Sequence, residues 1–376
     1  MLKWFDVDKA GLAAVLERRG KTFAVTELLA NSWDSGTERV VLTITPEPDK
    51  PYVHIEVEDW GDGFADITDS FTLFSLSRRA ADAEKRGRFS LGEKLVLSIC
   101  TEAEIATTCG RIQFKPDGSK RGLGPLGSGA RESGTKVTGR LRMTREEYQE
   151  VCSVIDRLIP PVPTEFNGKL LEIPRPIAVI EVKLPTEFAD ADGNLRRTVR
   201  LTRVEIHEDE FGSGEIYELG IPVVETNLGY RVNVLQKVPL NLDRDNVPPS
   251  YLKTLSAHVL NSVVTDLTPE QAAEPWVQEA AGSSLAKPDT VKRVLTHRFG
   301  EHAVVATPGA PVSNAQAEQA GFTVIPGGAL SREVWANVRK HELLPSAAAV
   351  FPTPTAEEIE RRRALQAKCP TCGQPV

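Results

Sequence analysis

Residues 23–35 (FAVTELLANSWDS) read as a helix stopped by Gly36, and the polar residues on it stand in a pattern that needs a reason. Glu27, Asn31 and Asp34 follow one another at spacings of four and three, which puts all three on one helix face. Leu28, Leu29 and Trp33 lie between them and give the same helix a surface to bury. A helix with an apolar body and an acidic-polar stripe packs on a neighbouring layer and keeps one line of oxygens exposed or usable. Taken alone, a solvated face explains that stripe.

The surroundings define the layer it packs on. An amphipathic stretch at 8–19 precedes it, with Asp8 near its cap. Residues 39–46 (RVVLTITP) and 52–59 (YVHIEVED) alternate like strands around the turn-rich PEPDK. A loop over 60–92, rich in Gly, Ser and Arg, leads into a helix at 93–100, and strands are expected at 102–108, 111–115 and 135–143. Helices and strands in this order predict an α+β two-layer sandwich, a sheet with helices on one face. A helix at 145–159 and a linker at 159–168 (IPPVPTEFNG) follow, then strands from 176 to 237. Helices are expected at 249–266 and 270–281, a small α/β unit at 288–345 with a helix at 331–340, and a charged helix at 355–367.

At 376 residues the chain is too long for one ordinary core. The expected division is a first domain at 1–158, an α/β domain at 165–267, a small α/β unit at 285–345 and a tail at 355–376. A net charge of −7 describes a mildly acidic protein and argues against general nucleic-acid binding. Basic clusters at Arg78, Arg79, Lys85, Arg86 and Arg88 and at Arg361 to Arg363 leave room for a local patch. There is no apolar run of about 20 residues and no signal-peptide layout, so a cytoplasmic location without membrane contact is expected. Cys100, Cys109 and Cys152 read as buried reduced thiols.

Three more motifs follow the helical stripe. Asp59-Trp60-Gly61-Asp62-Gly63-Phe64 comes directly off an apolar strand, where a tight turn would explain it alone. Gly87-Arg88-Phe89-Ser90-Leu91-Gly92-Glu93-Lys94 is a loop entering a helix, a place where backbone amides suit phosphate. Gly134-Thr135-Lys136-Val137 opens a strand. The ordered set is specific where its members are not. Over residues 10–143 it resembles the GHKL (Bergerat-fold) ATPases, which include Hsp90, MutL, type II topoisomerase ATPase subunits and MORC-like proteins. Glu27 to Ser35 is similar to their N-box, Asp59 to Phe64 to the G1 box, Gly87 to Lys94 to the G2 box and lid hinge, and Gly134-Thr135 to the last motif. Ser90 stands where the family has the middle glycine of the lid motif.

The resemblance implies magnesium-dependent ATP binding with slow hydrolysis, lid closure and a homodimer at least when ATP is bound. Glu27 is implied as the base that polarises water, and Asn31 as the magnesium ligand. Asp59 would accept from the adenine amino group, with Thr135 supporting it through a hydroxyl or a water. Gly61 and Gly63 would allow close backbone approach, Gly87 and Gly92 would let the lid fold, Lys94 would contact phosphate, and Asp34 counts among the nucleotide-binding residues, with a tie between the helix and its surroundings as its alternative role. Further on, Val238-Pro239-Leu240-Asn241-Leu242-Asp243-Arg244-Asp245 is similar to the Hsp90 catalytic-loop motif, which makes Arg244 a candidate γ-phosphate contact. Lys237 resembles the switch lysine of MutL and topoisomerase transducer domains. An exposed turn with locally paired charges also fits these residues. The second half resembles, more weakly, phage-encoded rIIA-type GHKL proteins.

Cys369-Pro370-Thr371-Cys372 has the knuckle spacing of a zinc site but supplies two of the four ligands zinc takes. A second subunit could complete it, or a histidine such as His297, His302 or His341; a frayed tail with two free thiols is the alternative. Three functional readings stay open: an ATP-driven machine acting on a client protein or DNA, an ATP-gated regulatory protein that hydrolyses little, and a DNA clamp of MutL or topoisomerase type.

Overall fold

Alternation along the first two strands decides the first layer. In β1 (Val40–Pro46), Val40, Leu42 and Ile44 are buried, and in β2 (Tyr52–Asp59), Val53, Ile55 and Val57 are buried while His54, Glu56 and Glu58 face the other way. The two pair antiparallel with Leu42 opposite Val57, so one face of the ribbon is apolar and one is wet. The structure, a computed structural model, describes residues 9–70, 72, 82–86, 92–122, 129–190, 195–210, 212, 214–240, 247–353, 357 and 360–361. The described chain divides into two compact units, Met1–Tyr251 and Leu252–Val376.

In the first unit, helices α1 (Lys9–Glu17) and α2 (Gly20–Trp33) precede the strand pair. Helix α3 (Gly92–Ile99), strands β3 (Cys100–Thr107), β4 (Gly110–Phe114), β5 (Lys120–Gly122) and β6 (Lys136–Arg142), helix α4 (Arg145–Arg157), and strands β7 (Thr164–Phe166) and β8 (Lys169–Leu170) follow it. The strands form one sheet in the order β5-β4-β3-β6-β2-β1-β7-β8. Its buried face meets the helices in one core, where Ala24, Val25, Leu28, Leu29 and Trp33 of α2, Val96 of α3 and Val151 and Ile155 of α4 join the inward residues of β1, β2, β3 and β6. The other face carries ion pairs, such as Lys136 with Glu56 at 2.6 Å between β6 and β2, and Arg131, just before β6, with Glu58 at 2.8 Å. This is the α+β sandwich expected from the order of elements.

Helix α4 begins with a capping box. Thr144 accepts from the Glu147 amide and Glu147 reaches back to the Thr144 amide. The stretch after α4 differs from expectation. Residues 164–170, read as linker and start of the next domain, instead add β7 to β1 in parallel and close the sheet with β8. The reason is Trp33, whose indole N–H donates to Thr164 Oγ1 at 2.9 Å and draws that segment onto the end of α2.

A second sheet, also in the first unit, is built from β9 (Ala178–Ala189), β10 (Leu195–Glu208), β11 (Glu215–Glu218), β12 (Ile221–Glu225) and β13 (Tyr230–Val234), ordered β12-β11-β13-β10-β9. Leu184, Val204, Ile206, Ile216, Val232 and Val234 are fully buried on it.

The second unit begins within α5 (Pro249–Val263) and continues through α6 (Pro269–Ala272), α7 (Pro275–Ala281), α8 (Pro288–Phe299), β14 (Ala303–Val305), α9 (Pro311–Gln319), β15 (Thr323–Ile325), α10 (Arg332–Lys340) and α11 (Ala347–Val350). The helix expected at 270–281 is two helices. Pro275 has no amide hydrogen to donate back and sits at the first position of α7, so the chain turns before it. Strands β14 and β15 pair in parallel, with Val304, Ala317 and Ala347 as the centre of a small core. Among the described residues no helix is long and apolar enough to cross a membrane. Cys100 is buried, and burial pushes its thiol up to about 12, while Cys109 and Cys152 are half-buried and outside any disulfide.

Leu42 is fully buried at the centre of β1. Leu42→Ala is expected to destabilise the first unit by about 2–5 kcal/mol. Urea denaturation followed by hydrogen exchange in residues 40–57 checks this, and a loss below about 1 kcal/mol contradicts the core described above.

Candidate functional site

The site forms where the end of β2, the end of α2 and the start of β6 meet. Asp59 is the last residue of β2 and falls on the inward side of the alternation, so its carboxylate points into the core with 3% of the residue exposed. A charge so placed must be met by donors. The amides of Gly61 and Thr135 donate to Asp59 Oδ1 at 3.0 and 3.2 Å. Ser35 Oγ lies 3.0 Å from the same oxygen and 2.7 Å from the Ser32 carbonyl, so its one proton serves either. The backbone is locked by a Thr135 carbonyl accepting from the Asp59 amide at 2.9 Å and a Gly61 carbonyl accepting from the Gly134 amide at 2.7 Å.

Two glycines make this convergence sterically feasible. A Cβ on Gly61 would sit 2.2 Å from Ser35 Oγ, and one on Gly134, whose φ is +68°, would sit 2.0 Å from the Asp59 carbonyl oxygen. Behind them, Thr107 Oγ1 accepts from the Phe64 amide at 2.8 Å and stands 3.2 Å from Thr135 Oγ1. Thr37 Oγ1 accepts from the Trp60 amide at 3.0 Å. Gly63, with φ +70°, packs its backbone against Thr108.

Above Asp59 lies a cavity of about 30 Å³ lined by Leu28, Asn31, Ser32, Phe64, Leu97, Ile105, Thr135 and Val137. Leu28, Phe64, Leu97, Ile105 and Val137 give it an apolar part, and Asn31, Ser32, Ser35, Asp59 and Thr135 a polar one. Glu27 lies one helical turn before Asn31 on α2 and is half-buried. A larger cavity of about 400 Å³ lies on the wet face of the sheet among His54, Glu56, Glu102, Glu104 and Arg140. Its charges pair across strands, as a solvated sheet face does.

The sequence-derived residues distribute as follows. Asn31, Asp59 and Thr135 line one cavity, while Gly61 donates to Asp59 and Gly63 packs against Thr108. Thr135 reaches Asp59 through its backbone amide, while its hydroxyl faces Thr107. Gly92 is the first residue of α3. Gly87, Arg244, the Lys94 side chain and the Cys369–Cys372 pair lie outside the described residues. Asp34 faces away from the cavity, its Oδ1 2.7 Å from Arg86 Nη1. Burial pulls the Arg86 guanidinium below its ordinary value and the Asp34 carboxylate pulls it back up. Lys237 is fully buried, and its Nζ donates to the Asp82 carbonyl at 2.7 Å.

Sequence reasoning assigned no role to Ser35, Thr107 or Thr37. Ser35 stood within the first motif, but nothing in the spacing says that its hydroxyl turns toward Asp59. Thr107 could be found only by aligning the ends of β3 and β6. Among the described residues no group of three or more His, Cys, Asp or Glu is arranged to hold a metal ion. His297 Nε2 is 3.1 Å from the Val264 carbonyl and the His302 ring packs on Phe322.

The first part of the chain is similar to nucleotide-binding domains of GHKL type. Residues 20–115 match the family model described as histidine kinase-, DNA gyrase B- and HSP90-like ATPase, and this segment carries the ATP-binding module of that family. Among solved structures, a crystal structure of the N-terminal domain of a DNA repair protein is similar at 15% identity and a TM-score of 0.39, covering 63% of this chain and 91% of that chain. No curated protein matches the chain.

Asp59→Asn keeps the size of the side chain and removes the charge that its donors converge on. It is expected to weaken ATP binding at least about tenfold, the equivalent of roughly 1.4 kcal/mol. Calorimetric titration measures this, with circular dichroism to establish that the fold is kept; an unchanged affinity contradicts the assignment of this cavity.

Proposed function

We propose that the chain binds ATP with magnesium in the Asp59 cavity and hydrolyses it slowly, and that the nucleotide state changes how its domains, or two copies of it, are arranged on a protein or DNA partner. The observation that carries this is the buried Asp59 carboxylate, fixed by Gly61, Thr135 and Ser35 at a cavity that α2 flanks with Leu28 and Asn31, one helical turn after Glu27. An adenine edge offers a donor to a carboxylate and a flat apolar face to Leu28, Ile105 and Val137, so the residues fit the base. Its entry requires Phe64 or Leu97 to give way, since the cavity is about 30 Å³.

Asp59 fixes which edge of the base enters, because a fixed acceptor matches an amino group and opposes a carbonyl. Glu27 accepts a proton from the attacking water. Asn31 offers its side-chain oxygen to magnesium, a hard cation that takes few protein ligands and, when bound, offsets charge on the phosphates. Gly87, Gly92 and Lys94 serve the phosphate side of the site, and lid closure over it is part of the proposal. Arg244 is the candidate contact to the terminal phosphate. Lys237 takes that role only on leaving the Asp82 carbonyl, so in this state it acts as a strut.

The rest of the proposal rests on sequence. It comprises a first domain at 1–158, a transducer-like domain at 165–267, units at 285–345 and 355–376, a cytoplasmic location and an ATP-dependent homodimer. Zinc at Cys369 and Cys372 rests on the Cys-Pro-Thr-Cys spacing alone. The alternative of a non-hydrolysing ATP gate is opposed by the presence of Glu27. The alternative of a DNA clamp is opposed by the net charge of −7.

Glu27→Ala is expected to bind ATP within about threefold of the parent while turnover falls by about 10²–10⁴-fold. Steady-state phosphate release together with binding separates the readings. Parent turnover equal to that of the variant removes Glu27 as base, and binding without turnover in the parent favours the gate.

A further inference from the structure

Residues 82–86 are held from two sides. On the nucleotide-pocket side, Asp34, the residue that ends α2, accepts from the Arg86 amide and from Arg86 Nη1, each at 2.7 Å. Its carbonyl accepts from Lys85 Nζ at 3.4 Å. On the side of the second sheet, Arg86 Nε donates to the Leu219 carbonyl at 2.9 Å and Nη2 donates to the same oxygen. The Lys237 amide donates to the Ala83 carbonyl at 2.8 Å, and Lys237 Nζ to the Asp82 carbonyl. The Arg86 guanidinium also lies over the Trp33 ring, 4.9 Å from its centroid. Its side chain is 10% exposed and that of Asp34 is 2% exposed. A guanidinium is a rigid fork, so with both ends engaged it cannot follow one partner without leaving the other.

The far end of the fork is unusually well fixed. Leu219 and Gly220 form the β11–β12 turn with φ of +53° and +92°. Two positive φ values in a hairpin turn favour Asn-Gly, and a leucine there is strained. Such strain persists where the surroundings over-determine it. Here the Gly220 amide donates to Asn233 Oδ1 at 2.8 Å, and its carbonyl accepts from the Ile159 amide at 3.0 Å. A Cβ on Gly220 would lie 2.1 Å from the Ile159 carbonyl oxygen. Asn233 Nδ2 in turn donates to Glu205 Oε2 at 3.0 Å. The Leu219 carbonyl is therefore presented at a fixed point on the second sheet, and the Asp34 carboxylate at a fixed point on the helix that carries Glu27 and Asn31.

We propose that Arg86 is a positioning residue that ties the end of the pocket helix α2 to the Leu219–Gly220 turn, so that a change at the nucleotide pocket is carried to the second sheet. This rests on the ATP reading above.

Hydrogen exchange with and without magnesium and a non-hydrolysable ATP analogue tests it, read in the peptide covering 215–225. In the parent the analogue changes exchange there. Arg86→Gln is expected to bind the analogue within about threefold of the parent and to lose at least about two thirds of that change; a threefold change in affinity is well under one tenfold step. An equal response in parent and variant, loss of analogue binding by the variant, or no response in a parent that binds overturns the proposal. If Arg86→Gln does not fold, Arg86→Lys replaces it, since an ammonium keeps the charge but lacks the planar fork that spans both partners. The same loss is expected of it, a parent-like response overturns the idea, and failure of both variants to fold makes Arg86 a structural residue. If the parent itself binds no nucleotide, the ATP reading fails and ligand-free exchange decides the tie separately. Arg86→Gln must then speed exchange about tenfold, one such step, in both 215–225 and 28–37, and an effect in only one or neither overturns it.

Discussion

A carboxylate buried at the end of a strand governs the first domain. Asp59 is 3% exposed, and an ionised group there is tolerable only if donors from its surroundings meet it. They come from separate parts of the chain: Gly61 just beyond the strand, Thr135 at the start of β6 and Ser35 after α2. Each must approach closely, which is why Gly61 and Gly134 cannot carry a Cβ. The turn after β2, the helix end and the entry to β6 are thus satisfied together or not at all. The slot above the carboxylate is a consequence of that convergence, with apolar walls supplied by the core faces of α2, β3 and β6.

Much of this was legible because it rests on short-range pattern. The alternation of Val53, Ile55 and Val57 fixes which side of β2 Asp59 falls on, and the helical spacing of Glu27 and Asn31 fixes their common face. Those two facts, with the glycines that follow, point to the elements that line the Asp59 cavity. Pairings over long sequence separations were not legible. Nothing around Thr164 announces that it meets Trp33 131 residues earlier, so the sequence of β7 reads as linker. Pro275 does announce itself, and the helix expected at 270–281 breaks there as proline chemistry requires.

Asp34 illustrates a different limit. Its spacing from Asn31 predicts a common face, yet it caps the end of α2 and its carboxylate serves Arg86 and not the cavity. Spacing gives a direction, and the partner comes from whatever the chain folds into that direction. The same holds for Lys237, whose ammonium is buried against a backbone carbonyl of residues 82–86. Two charged groups that sequence assigned to nucleotide chemistry thus meet on one short segment between the pocket helix and the second sheet.

The central claim is that a fixed carboxylate acceptor selects the base. Calorimetric titration of the parent protein with ATP and with GTP, each with magnesium, tests it most directly. In the proposed binding mode the amino group of adenine faces the Asp59 acceptor, whereas guanine would present a carbonyl oxygen to a carboxylate and leave both unpaired. The account predicts ATP binding at least about tenfold tighter than GTP, a difference of roughly 1.4 kcal/mol. Equal affinity for the two nucleotides would contradict it.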